Sequence, residues 1–183
     1  MNIVKMKSKN LIIFLLASFC FFAIQSEAQA SYHFGQFRAH PPIHTYGSAN
    51  VSPAGITPEQ IKKIYHLPES GGQGAIAIID AYDSPDMEHD FNVFNKQFNL
   101  PACTTVNGCF EKHKMSSTIT KNSGWSFETA LDVEWAHAIA PNAKIILVEA
   151  KTPSGQNLLD AIDYARKHYD YVTGLGSPLT VNF

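Results

Sequence analysis

"AIAIID" at residues 75–80 and "AKIILVEA" at residues 143–150 are the two stretches on which the fold turns. Each is a short apolar run without polar alternation, the pattern of a strand covered on both faces in a parallel sheet. "ESGGQG" supplies a turn before the first run, and Asp80 closes it, with Asp83, Ser84 and Pro85 as helix-start signals. Helical spacing then takes over: Met87, Phe91, Phe94 and Phe98 recur through "DMEHDFNVFNKQFNLP". A second helix reads from Ser126 to Ala140, and a third lies in "TPSGQNLLDAIDYARKH", with Leu158, Leu159, Ile162 and Ala165 on one face. Upstream, Thr57 is a candidate N-cap, Pro58 takes the first helical position, and Ile61, Ile64 and Tyr65 give a stripe that ends near His66-Leu67-Pro68. Strand, helix, helix, strand, helix predicts an α/β fold with a parallel sheet and helical crossovers.

The two ends of the chain read differently. Lys5, Lys7 and Lys9 precede an apolar run from Leu11 to Ile24, and Ala28-Gln29-Ala30 has the small-x-small pattern of a signal-peptidase site. Residues 1–30 are therefore expected to be a secretory signal peptide, which sends the mature chain outside the cell with no membrane anchor. Phe19 before Cys20 is too large for a lipoprotein site. Residues 31–55 show no periodicity and read as an extended leader; its His33, His40 and His44 are irregularly spaced, which suits a loop better than a metal site. The domain is expected over residues 56–183. After His168 only "YDYVTGLGSPLTVNF" follows, short and glycine-rich, where a further strand is expected. A two- or three-strand parallel sheet with an exposed edge is a poor stopping place, so the fold is expected to be truncated.

A net charge of -2 with 16% charged residues gives no basic surface for nucleic acid or anionic membrane. Once Cys20 leaves with the signal, Cys103 and Cys109 remain, bracketing "CTTVNGC". In an oxidising compartment this spacing favours a local disulfide, the alternative being a metal site for which two cysteines supply too few ligands.

The chemistry concentrates in "WSFETALDVEWAHAIAP", residues 125–141. Glu128 and Asp132 stand one helical turn apart on a face that Trp135 and Ile139 continue. Two acids on a partly apolar face favour a raised pKa in one, or a shared proton, which suits general-base chemistry in acid. A solvated helix face and a metal clamp are the competing readings.

The wider wording, "FETALDVEWAHAIAPNAKIILVEA", resembles the Glu-x-x-x-Asp helix and following strand of the sedolisin family, the serine-carboxyl peptidases. "SPAGITPEQIKKIYHLP" and "GAIAIIDAYDSPDMEHDFNVFNKQFNLPAC" resemble the start of the family's catalytic domain and its first strand and helix, in the same order. The resemblance implies a subtilisin-like three-layer α/β fold, hydrolysis of peptide or protein substrates at acidic pH, and a Ser-Glu-Asp triad. Glu128 then matches the general base and Asp132 the residue that orients it. Trp135, Glu134 and His137 fall outside the triad and read as helix packing and surface. Asp80 stands where subtilisin keeps its aspartate, but no His-Gly-Thr motif accompanies it.

The departures are as informative. The family's Ser-Gly-Thr-Ser nucleophile motif and its oxyanion aspartate have no counterpart in the 183 residues. Each such group is worth roughly 10² or more in rate, so independent catalysis is expected to be lost. "YDYVTGLGSP" resembles the family's extreme C-terminus, and Asp170 matches the last aspartate of its calcium site. The flanking glycines are replaced by His168 and Arg166, and one aspartate does not satisfy a cation that takes about six oxygens or more. No cofactor is expected, and Ser177 reads as a turn residue. An internal deletion near "HYD" is the expected origin of the junction. The expected protein is a monomeric, secreted, peptidase-like chain that keeps Glu128 and Asp132; the alternatives are a non-catalytic binding module, a degenerate remnant, or a metal-binding protein using the His-rich leader and the carboxylate helix.

Overall fold

Thr57 and Gln60 start the first helix by exchanging hydrogen bonds. The Thr57 hydroxyl accepts from the Gln60 N–H at 3.3 Å, and the Gln60 side-chain oxygen accepts from the Thr57 N–H at 2.8 Å. This capping box satisfies two otherwise orphan donors and contributes about 1 kcal/mol to α1, Pro58–Ile64. The computed structural model describes residues 37–41, 55–68 and 71–169. Two units are distinguished, Met1–Phe37 and Arg38–Phe183, and every element described here lies in the second.

Three parallel strands make an open sheet in the order β1 (Ala75–Ala81), β3 (Lys144–Ala150), β2 (Phe110–Lys114). Both apolar runs are strands, as read. Only β3 is covered on both faces, with every residue after Lys144 buried, because it lies between the other two. β1 is an edge strand and is half-buried along much of its length.

The crossovers are α2 (Met87–Gln97) between β1 and β2, and α3 (Ser123–Ile139) between β2 and β3; α4 (Gly155–His168) follows β3. The two-residue period of β3 sorts the core into two layers. Ile145 and Leu147 pack with Met87, Phe91, Phe110 and Val133 on the α2–α3 side. Ile146, Val148 and Ala150 pack with Ala161 and Ala165 of α4 on the other. The result is helix, sheet, helix: a small three-layer α/β arrangement.

β2 is a third strand that the predicted order of strand, helix, helix, strand, helix does not contain. "FEKHK" carries one large apolar residue, Phe110, yet pairs in register with Ile145 through Glu149. Its charges are tolerated because β2 is an edge strand and because its lysines meet acids (below). The start of α2 differs too. Asp83 and Ser84 do not cap it; the N-cap is Asp86, which makes no side-chain capping bond.

Cys103 and Cys109 form a disulfide, Cα–Cα 4.8 Å apart across six residues. Asn107 organises the loop inside it, accepting from the N–H groups of Thr104 and Cys109 at 3.0 Å each and donating to the Ala102 carbonyl at 2.9 Å. A closed loop this short restricts the unfolded chain modestly, so a C103A/C109A double variant should lose about 2 kcal/mol, read from urea unfolding of both proteins. A loss below about 0.5 kcal/mol would show that Asn107 holds the loop without help.

Candidate functional site

The carboxyl ends of the three strands bring Asp80, Glu149 and Lys114 side by side. Asp80 of β1 and Glu149 of β3 are register partners, and Glu149 is in turn opposite Lys114 of β2. All three share strand parity with Ile78, Leu147 and Phe110, so they lie on the α2–α3 side of the sheet. The carboxyl end of a parallel sheet is where α/β proteins place their sites.

α3 brings Glu128 and Asp132 to this end. Asn122 caps the helix by accepting from the Trp125 N–H at 3.1 Å, and the buried Trp125 fixes the first turn. Both sequence-selected acids are half-buried. Burial, then the neighbouring Asp132, then Glu128 and Glu149 push the Asp80 carboxyl up to about 7, against an opposing hydrogen bond with Thr129. The Thr129 hydroxyl itself donates to the Trp125 carbonyl at 2.8 Å. Glu128 is raised by burial and by Asp132, and Asp132 by burial. One oxygen of Asp80 and one of Glu128 are buried with no hydrogen-bond partner. These are three interacting acids that retain protons to unusually high pH.

Beside them lies a paired network. Lys112 Nζ reaches Glu149 at 3.0 Å, Asp83 at 3.1 Å and the Ser84 carbonyl at 2.5 Å. Lys114 Nζ meets the other Asp83 oxygen at 2.7 Å, and the Ser84 N–H donates to Glu149 at 2.8 Å. Burial keeps Glu149 above the ordinary carboxylate range in spite of Ser84 and Lys112. Burial also acts to raise Asp83, but the hydrogen bonds from Lys114 and Lys112 outweigh it and hold Asp83 low.

Glu149, Lys112, Lys114 and Asp83 escaped the sequence reading as site residues. The available signal was a lone acid inside the apolar run "AKIILVEA", matched by "KHK" with lysines at alternate positions of one strand face. His137 packs inside the fold, and Glu134 is half-buried on the same helix. Burial and the neighbouring Asp90 push half-buried Glu134 up to about 7. His137 is fully buried, edge-on to Phe91 at 5.2 Å, with Nε2 2.9 Å from the Pro101 carbonyl and so protonated on that nitrogen. Trp135 packs 6.3 Å from Phe94 on α2.

Ligand atoms of Cys103, Cys109 and His137 lie within 4.8 Å of one another, but the two sulfurs are bonded and offer no thiolate to a metal. His40 is exposed. His33, His44, residues 1–30, Asp170 and Ser177 lie outside the described residues. Among the described residues no helix is long and apolar enough to cross a membrane. Compared with protein-family models, with curated proteins and with solved structures, the chain matches none.

Chemically, the arrangement can take up and hand on protons in acid. Glu128 is the most accessible member, Asp132 shares its environment, and Asp80 is a buried neutral acid behind them.

Proposed function

We propose that this chain is a secreted, serine-carboxyl peptidase-like protein built around the general-base half of such a site. Glu128 is the base, Asp132 orients it and shares its proton, and a peptide is the partner. The observation that carries the reading is the convergence of Glu128 and Asp132 on Asp80 at the carboxyl end of the sheet, with all three raised. A base of this kind accepts the proton of a hydroxyl placed within about 3 Å of it, at a pH where histidine is already charged. The sequence carries no family nucleophile motif to present that hydroxyl, so the chain is proposed to cleave no peptide bond by itself. It needs no cofactor. Export agrees with the disulfide, since such bonds persist in oxidising compartments.

Two measurements test this reading. The purified chain should show no peptide hydrolysis between about pH 3 and 5; turnover abolished by Glu128→Gln would restore a complete enzyme. In a carbon-detected NMR titration of the side-chain carboxyls, Asp132→Asn should lower the midpoints of both Asp80 and Glu128. Midpoints unmoved by the substitution would mean separate solvated acids and would remove the proposal's basis. A peptide-binding role without chemistry is the second reading, favoured by Phe127 and Leu131, exposed one turn apart beside the acids on α3.

A further inference from the structure

At the opposite end of the sheet, before β3 begins, α1, the end of α2 and the α3–β3 turn enclose a groove of about 690 Å³. Its walls include Phe98, Pro101 and Pro141, and its polar lining includes Lys62, Gln97, Asn99 and Asn142. Lys62 is the unusual member. It is 6% exposed, the only buried lysine or arginine among the described residues. Glu59, the groove's one acid, is already paired with Lys63 at 2.6 Å. No carboxylate among the described residues lies within ion-pair distance of Lys62, whereas Lys63, Lys112, Lys114, Lys121, Lys144, Arg166 and Lys167 each have one.

The stem of Lys62 is packed, and the residue lines an open groove with no counter-charge from the described carboxylates. Its charge is felt inside the fold: burial lowers the pKa of His137, beneath Pro101, and the positive charge of Lys62 adds to that lowering. The side-chain amides of Gln97, Asn99 and Asn142 add donors around the same space. One cation, several amide donors and apolar walls are complementary to an anion that carries a hydrocarbon body.

We propose that this groove binds a small organic carboxylate, its charge on Lys62 and its apolar part against Phe98, Pro101 and Pro141. The site is separate from the acid cluster by the length of β1, roughly 20 Å, and does not depend on the function proposed for it. Two sources share this chemistry, a free aliphatic acid and the C-terminal carboxylate of a peptide.

Two-dimensional NMR of the whole chain, titrated with N-acetyl-L-leucine, isovalerate and N-acetyl-L-leucinamide, tests the proposal and separates the sources. The acid should shift the side-chain amide resonances of Gln97, Asn99 and Asn142 with an affinity near millimolar, as its size allows. The leucinamide, which lacks the charge, should bind at least about tenfold more weakly. Tighter binding of N-acetyl-L-leucine than of isovalerate identifies a peptide terminus, and equal binding a free acid; both outcomes support the site. Lys62→Met, which keeps the stem, should weaken the acid by about tenfold or more, while Lys62→Arg retains it. Equal binding of acid and leucinamide to the unmodified protein, or no shift at the groove amides, overturns the proposal without reliance on any variant's folding.

Discussion

Acidification should stabilise this protein. Asp80 is raised from 3.8 to about 7, so folding favours its neutral form. The resulting stability is fully present below 3.8 and is lost as pH rises through about 7. A difference of 7 less 3.8 corresponds to on the order of 4 kcal/mol, an upper bound because the proton is shared with neighbouring acids. Glu134, raised from 4.5 to about 7, acts in the same direction. His137 opposes both: its folded value is lowered, so stability falls as pH drops below 6.5. Asp83 and Glu111 are held low and withdraw their contribution only below their ordinary values of 3.8 and 4.5. The sum is a maximum near pH 5, with an unfolding free energy roughly 3 kcal/mol above that at pH 8. Urea unfolding across this range measures it. Asp80→Asn should flatten most of the slope and stabilise the protein at neutral pH, since an amide stays uncharged. A profile that peaks at neutral pH, unchanged by the substitution, would refute the buried-acid assignment.

The parts of the fold that could be read in advance were those where local pattern and tertiary role agree. Apolar runs at 75–80 and 143–150 became strands, and Thr57-Pro58 began a helix whose capping box involves Gln60. β2 was illegible because its stability comes from partners elsewhere in the chain. "FEKHK" has little strand signature alone, and only the buried Glu149 of a strand about thirty residues on gives Lys112 a reason to face inward. The candidate site divides in the same way. Glu128 and Asp132 are visible as a pair because helical spacing is local. Their meeting with Asp80 depends on how α3 crosses the sheet, which no local pattern reports.

Lys112→Met should be the most damaging single substitution at this end of the sheet. Glu149 is fully buried, and its supports are the Lys112 ammonium at 3.0 Å and the Ser84 N–H at 2.8 Å. Its second oxygen is buried without a partner. Removing the ammonium leaves a carboxylate that neither water nor a second cation neutralises; the nearby Lys114 is held by Asp83. Breaking one partner of a buried pair costs about 3–5 kcal/mol, against a typical total stability of about 5–15 kcal/mol. Glu149→Gln should cost far less, because the amide oxygen still accepts from Ser84 and Lys112 keeps Asp83. The double substitution should then recover much of the loss, giving a coupling of about 2 kcal/mol or more in a double-mutant cycle. Proton uptake supplies an independent signature. Burial already raises Glu149, and without Lys112 its proton is bound still more readily, so the Lys112→Met defect should shrink as pH falls from 8 to 5. Additive single effects, or a defect independent of pH, would mean that Lys112 acts through packing of its stem, and that charge at this end of β3 is incidental to the fold.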